Sequence, residues 1–463
     1  MSPLAVAANL PRIQGLFDLV VIDEGSQMRP ENALGGLLRA QQALVVGDTE
    51  QLPPTNNFRK LGNVVVDDEE ESDDTITSES ILDVANLTLP SRRRLRWHYR
   101  SRHESLIAFC NRHIYKDDLV IFPSPTPFAA GLGVSQVFVE NGLYKNSLNQ
   151  REAQVMVSHI LRFMSDHPGK SLGVVVLNNK QQTLLQDEYD AMRQHSNIAQ
   201  RYEDHWQIER SGLEPFFIKN LENVQGDERD VIFIGTVFGP EEVDGKVMNR
   251  FGNLSGAVGR RRLNVLFTRA KSQIVTFTSM KPSDIKGTRE SAPGSWMLRK
   301  WLEYSATGEL EAGEATGAEP DSDFERHVIQ VIRAMGYEAV PQVGAKGFFI
   351  DIGVRHPDYP YGYLLGVECD GASYHSSRSA RDRDRLRQEV LEAKGWQLHR
   401  IWSTDWFTDP LRERDRLKTV LDARLAELKH RTTTASNDGF SDFLTEQTVN
   451  KEESENLQHT MPS

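Results

Sequence analysis

An apolar run, Leu19-Val20-Val21-Ile22, ends in the acidic pair Asp23-Glu24, and a second run, Val45-Val46-Gly47, ends in Asp48-Thr49-Glu50-Gln51. A carboxylate closing a buried strand is how a nucleoside-triphosphate motor holds Mg²⁺, while a nearby polar side chain senses the phosphate. Such a motor also needs a loop of the form Gly-x-x-x-x-Gly-Lys-Ser/Thr, and that pattern occurs nowhere in the sequence. An isolated Asp-Glu after a strand is more often a helix-capping pair, so this one gains weight only from partners further along the chain. A second set of groups follows: Glu325, then Asp351 in Phe348-Phe349-Ile350-Asp351, then Glu368, Asp370 and His375. Two strands each ending in a carboxylate, preceded by a helix bearing Glu, gather oxygen ligands for Mg²⁺ or Mn²⁺ at one sheet edge. His375 adds a group whose ordinary pKa suits proton transfer near neutrality. Glu325 has a plainer reading, because Ser322 three residues before it completes a capping box.

Composition narrows what those groups can serve. The 463 residues, 38% hydrophobic and 26% charged, are globular in balance, and no apolar run approaches the ~20 residues needed to span a bilayer. There is no basic flank leading into a long apolar stretch at the N-terminus, so neither a secretory segment nor a membrane partner is expected. Cys110 and Cys369 are the two cysteines and have no metal-ligand spacing, which fits a reducing, cytoplasmic setting, nucleoid-associated if bacterial. The net charge of -12 argues against attraction of nucleic acid by the whole molecule. Basic clusters at Arg92-Arg93-Arg94, Arg260-Arg261-Arg262 and between Arg378 and Arg387 leave local phosphate contacts open, although sign-alternating Arg381 to Arg385 also reads as a solvated helix face.

The elements that must hold these groups alternate between short β-rich runs and helical patterns, which implies parallel α/β sheets. Strands are expected at 18–22, 43–47, 173–177, 231–236 and 273–278. The acidic block 67–74 reads as a solvated loop or insertion. Residues 283–320 read as a Gly/Ala/Glu-rich linker following one short helix. A further unit over 321–428 runs helix, strand, strand, strand, helix, strand, helix, and 429–463 is polar, aperiodic and expected to be disordered.

Five segments in series carry a resemblance. Val21-Ile22-Asp23-Glu24-Gly25-Ser26-Gln27, Gly47 to Thr55, Trp97-His98-Tyr99-Arg100, Val224-Gln225-Gly226-Asp227-Glu228 and Arg261-Arg262-Leu263 to Lys271 resemble motifs II to VI of superfamily 1 helicases, in the branch of the nonsense-mediated-decay enzymes. The resemblance implies two RecA-like domains with ATP between them. By it, Asp23 binds Mg²⁺, Glu24 orients the attacking water, Gln51 senses the γ-phosphate, and Arg100 and Arg269 stabilise transition-state charge. Glu228 would contact the ribose, with Gln225 and Gly226 near the cleft and nucleic acid. Gly25 departs from the usual Ala, a small change expected to loosen the turn. Residues 1–90 then form a partial first RecA-like domain with motifs II and III and no P-loop, and 91–282 form the second. Met1 to Ala7 resembles the stretch just before motif II, so hydrolysis by this polypeptide alone is not expected, and ATP enters as cofactor only if a partner supplies motif I.

The unit at 321–428 resembles a PD-(D/E)xK nuclease of the very-short-patch repair endonuclease branch, in which Glu-x-Asp-Gly followed by a His replaces the usual Glu-x-Lys. The resemblance makes Asp351 and Glu368 metal ligands, Asp370 a third carboxylate and His375 the general acid/base. The expected protein is therefore an α/β motor fused to a metal-dependent DNA endonuclease, acting in repair or defence. Its expected partners are nucleic acid, DNA ahead of RNA, and a separately made N-terminal helicase half. The rival readings are a non-catalytic nucleic-acid-binding module and a split or decayed gene product.

Overall fold

Runs rich in Val and Ile become strands where neighbouring strands pair along their edges and helices cover their faces. The computed structural model describes residues 1–54, 80–243, 245–308, 310, 319–345, 348–370 and 378–436. The acidic block at 67–74 therefore lies outside the described residues. In the first segment β1 (Phe17–Ile22) and β2 (Ala40–Val45) pair in parallel across the helix Pro30–Leu37. Next, β3 (Trp97–His98) and β4 (Val120–Ile121) form a short parallel pair.

The main parallel sheet contains β5 (Gly133–Phe138), β6 (Leu172–Val176), β7 (Phe217–Asn220), β8 (Arg229–Gly235) and β9 (Ala270–Thr278), in the order β5-β9-β8-β6-β7. β6 is buried at every position, as a parallel strand covered on both faces must be. The helix Pro293–Thr307 falls in the segment expected as linker, yet it packs into this domain's core. Its Trp301 is fully buried, stacked on Phe267 at 3.7 Å and edge-on to Phe109 at 5.1 Å, with Nε1 donating to Thr276 Oγ1 at 3.0 Å. Trp301→Ala should cost about 3–5 kcal/mol, the range for emptying a large aromatic site, and a urea melt of the full chain would measure it.

The C-terminal unit begins with the helix Asp323–Ala334. Its sheet contains β10 (Glu338–Ala345), β11 (Phe348–Arg355), β12 (Leu365–Asp370) and β13 (Leu398–Trp402) in that order, antiparallel until the final parallel pair. The helix Arg378–Ala393 makes the crossover that the parallel pair requires. Two helices close the unit, Ser403–Thr408 and Pro410–Ser436. The last of these carries helix beyond the 428 boundary expected from sequence; residues after 436 lie outside the described ones. The mixed α/β class expected from sequence holds, with a parallel RecA-like sheet followed by a smaller mixed sheet.

Residues 97–128 do not serve the main parallel sheet alone. Phe122 is buried against Phe348 of β11, with ring centroids 4.3 Å apart, and Trp396 Nε1 donates to Pro123 O at 2.9 Å. Tyr363 N donates to Pro125 O at 2.7 Å. This docks the C-terminal sheet on the segment that carries Arg100.

Candidate nucleotide and nuclease sites

At the end of β1 the chain turns sharply. Glu24 takes the left-handed conformation at φ 52°, and the Glu24 N–H is capped by Asp23 Oδ1 at 3.0 Å. Gly25 follows, and a Cβ there would lie 2.8 Å from Val45 Cγ1 and 3.1 Å from Val46 O. Its N–H donates to Val46 O at 2.7 Å. The glycine thus lets β2 close on the turn, where the sequence suggested a loosened one. Gln27 Nε2 donates to Glu24 Oε2 at 2.9 Å, which orients that carboxylate.

Motif III is tied to the second lobe through a polar chain that the sequence did not announce. Asp48 accepts from Gln51 Nε2 at 3.2 Å and from Tyr115 Oη at 2.7 Å, while Asn264 Nδ2 reaches Tyr115 Oη at 2.9 Å and Glu50 O at 3.0 Å. Arg260 pairs with Glu50. Asp48, Glu50 and Asn264 stand inside the motif segments, but Tyr115 lies between motifs and carries no signal in sequence.

The two arginines expected at the phosphate are brought together. Arg269 is buried, with Nε donating to Val265 O at 2.8 Å and Nη2 to Thr268 Oγ1 at 3.1 Å. Burial first, and then the nearby Arg100 guanidinium, push its pKa down to about 10, while Glu24 acts in the opposite sense. Arg100 is lowered too, chiefly by burial, again opposed by Glu24. Glu24, Arg100 and Arg269 therefore share one field across the two lobes. Glu228, the expected ribose contact, is paired here with Arg100 and lies 3.2 Å from Lys271. Gly226 sits beside it at φ 86° with open space where a Cβ would stand, and Gln225 is half-buried on the same turn.

In the C-terminal sheet the site forms where two strands part. The antiparallel pairing of β11 with β12 ends at Ile352 and Val367, and Asp351 and Glu368 are the next residue on each strand. Asp351 Oδ2 accepts from Cys369 N at 2.7 Å, so a side chain takes over where the ladder stops. Glu325, in the first turn of its helix, accepts from Asp321 N at 3.0 Å and from the buried Gln342 Nε2 at 3.0 Å, and Ser322 caps the Glu325 N–H. The capping reading is thus correct in kind, and the same carboxylate lies close enough to Asp351 to repel it.

Burial is the first cause raising Asp351 to about 6, followed by Glu325 and Asp370 against the favourable Cys369 N–H and Arg387. Burial likewise leads in raising Glu368 to about 7, with Asp351 and Asp370 adding to it while Arg387 and Arg400 oppose it. Two cations missed from sequence answer this charge: Arg387 Nη2 is 3.2 Å from Glu368 Oε1, and Arg400 Nε is 3.0 Å from Asp370 Oδ2. An arginine within the short apolar strand Leu398–Trp402 was the available signal for Arg400. Arg385 pairs with Glu389 at 2.9 Å, one turn away on an exposed helix face. His375 lies outside the described residues. Among the described residues no three His, Cys, Asp or Glu side chains gather closely enough to hold one ion in common. The donor chemistry nevertheless fits a hard divalent cation, since Asp351 and Glu368 bring two carboxylates to neighbouring strands where the ladder ends.

A pH dependence follows directly. Because both folded pKa values lie above the ordinary carboxyl values of ~4, the folded protein keeps protons that the unfolded chain releases. Stability in chelator should therefore be full below about pH 4 as far as these two groups are concerned, and fall as pH rises through about 6 and 7. Comparing melts of the native chain with those of Asp351→Asn/Glu368→Gln, whose slope should be flatter, checks the sign.

Comparison with known proteins agrees with this division. A family model described as an AAA domain matches residues 132–281, and the model named REase_MTES_1575 matches 324–421. The chain is 30% identical over 429 residues to "Uncharacterized ATP-dependent helicase MG140" of Mycoplasma genitalium, covering 89% of this chain and 37% of that protein. It is 29% identical over 432 residues to the homologue from Mycoplasma pneumoniae, covering 88% and 37%. The chain thus spans a little over a third of the length of these curated relatives. No helix among the described residues is long and apolar enough to cross a membrane.

Proposed function

From a chain that joins superfamily 1 helicase sequence to a restriction-endonuclease-like domain, we propose a metal-dependent DNA endonuclease served by an ATP-driven motor, acting in DNA repair or defence in the cytoplasm. The observation that carries the reading is the pairing of half-buried Asp351 with buried Glu368, mutually repelling, where β11 and β12 separate. Asp351 and Glu368 would hold Mg²⁺ or Mn²⁺, with Glu325 and Asp370 beside them. A bound ion would supply Lewis-acid polarisation of the phosphodiester and a more acidic water. The protein's own part is to fix the two carboxylates, through Cys369 N and Arg387, and to keep Asp370 turned toward Arg400.

On the motor side, Asp23 would hold Mg²⁺, Glu24 the attacking water, and Gln51, Arg100 and Arg269 the phosphates. Two guanidiniums held in each other's field at a cost in pKa suit a polyphosphate between them. A phosphate loop would be supplied by a further segment, to which β1 and β2 offer a surface: Phe17, Leu19, Val21 and Leu44 are between 42% and 56% exposed. Alternate residues of β1 share a face, so Phe17, Leu19 and Val21 form one apolar stripe that a further strand or helix would cover.

The test uses the full chain with supercoiled DNA and Mn²⁺ or Mg²⁺. Nicking that requires metal and Asp351 supports the proposal; metal-independent nicking, or none with any divalent ion, removes it. A second reading, a nuclease fold that binds DNA without cutting it, draws on the pairing of Glu368 and Asp370 with Arg387 and Arg400. Salt-sensitive DNA binding without cleavage would favour it.

A further inference from the structure

Arg387 belongs to neither motif set, yet its guanidinium joins a helix, an aromatic ring and the end of the β11–β12 ladder. It stands on the helix Arg378–Ala393, with Cζ 4.6 Å from the ring centroid of Phe348, and Nη2 donates both to Phe349 O and to Glu368 Oε1, the latter at 3.2 Å. Phe348 is itself wedged against Phe122. Immediately after the helix, Lys394 Nζ donates to Ser101 O at 2.6 Å and Phe122 O at 3.1 Å. The arginine is therefore clamped by a ring below it, a carbonyl on β11, and a helix pinned at its C-terminal end to the segment following Arg100. A planar fork held on three sides loses little further freedom when it bonds a carboxylate.

Resting on the reading of Asp351 and Glu368 as a nuclease site, we propose that Arg387 is a positioning residue for Glu368: its clamped guanidinium holds the Glu368 carboxylate in the gap between β11 and β12 whether or not an ion is bound. Without it, Glu368 faces Asp351 and Asp370 with Arg400 as the remaining nearby cation, and Arg400 is already engaged by Asp370. The carboxylate would turn away from its neighbours, and the paired donor set would be lost before any ion or DNA arrived. Arg387 touches no substrate in this account and acts only through Glu368.

The test is a double-mutant cycle on the full chain: the native protein, Arg387→Met, Glu368→Gln and the double variant, melted in chelator at pH 8. Arg387→Met should lower Tm by a few degrees, and by less than half as much when Glu368 is already Gln. Equal losses in the two backgrounds would mean that Arg387 serves only to pack on Phe348, and would overturn the proposal. Arg387→Lys keeps the charge without the fork and should recover part of the loss; if Arg387→Met does not fold, it takes that variant's place in the cycle. With DNA and Mn²⁺, Arg387→Lys should lower kcat several-fold and leave KM for DNA within twofold, whereas a change confined to KM would contradict a role through Glu368. The melts contain neither metal nor DNA, so they judge Arg387 even if the chain cleaves nothing. Additive melts alongside metal-dependent cleavage that is lost in Glu368→Gln would remove Arg387 and keep the nuclease.

Discussion

Asp351→Asn and Glu368→Gln should each reduce metal-dependent DNA cleavage by the full chain by roughly 10²–10³-fold. A metal ion contributes several kcal/mol to stabilising phosphoryl charge, and each 1.36 kcal/mol is a factor of ten in rate. Both substitutions keep side-chain volume and remove the charge that the ion requires. They also relieve the repulsion that raises the pKa of the remaining partner, so the folded protein should melt no lower, and in chelator at pH 8 somewhat higher. Loss of cleavage with retained or improved stability separates a functional carboxylate from a structural one. Asp370→Asn should cost less, because Asp370 is engaged by Arg400 on β13. Cleavage by both Asp351→Asn and Glu368→Gln at the native rate would end the nuclease assignment.

The second large effect concerns the motor. The chain alone should release phosphate from ATP no faster than buffer, whereas joining it to a segment that carries a phosphate loop and covers the Phe17-Leu19-Val21 stripe should produce ATPase activity. In that assembly Arg269→Gln should lower kcat by about 10³–10⁵-fold, the range for an arginine acting on transferring phosphate. The structure supplies the reason to expect the upper part of that range. Arg269 is already fixed by Val265 O and Thr268 Oγ1 and already bears the cost of burial beside Arg100. An anion arriving between the two guanidiniums would be stabilised without reorganisation. Phosphate release followed over time, together with hydrogen exchange at β1, measures both halves of the prediction. Less than a tenfold loss in Arg269→Gln would reassign that arginine to structure, and unchanged exchange at β1 would place the added segment elsewhere.

Strand positions were legible where short apolar runs stand out, Leu172–Val176 in β6, Val231–Ile234 in β8 and Ile274-Val275 in β9, although β9 is otherwise largely polar. The polar linkages were less legible. Tyr115 joins Asp48 to Asn264 from a loop between motifs, and Arg387 reaches Glu368 from a helix whose alternating charges read as solvated surface. In that helix Arg385 does face solvent, while Arg387, two residues on, faces the sheet; a periodicity blurred by charges at nearly every position cannot tell them apart. The helix Pro293–Thr307 shows a different limit. A short helix was legible there, but the Gly/Ala/Glu-rich remainder of 283–320 marked its setting as linker, whereas Trp301 holds the helix in the core of the parallel-sheet domain.

The sequence by itself determined which groups are present for the two proposed chemistries: Asp23, Glu24, Arg100 and Arg269 for phosphate, Asp351, Glu368 and Asp370 for a metal ion. It also determined that no phosphate loop lies within these 463 residues. Tertiary structure alone decided how charges far apart in the chain meet. It set Arg100 against Glu228 and Arg269, ended the β11–β12 ladder so that Asp351 and Glu368 stand together where the strands part, and docked the segment after Arg100 against β11 and the residues that follow the helix carrying Arg387. The physical reason is that electrostatic coupling falls with distance in space and takes no account of separation along the chain. Spacing along a sequence encodes which groups are present, while burial and packing decide which of them feel one another.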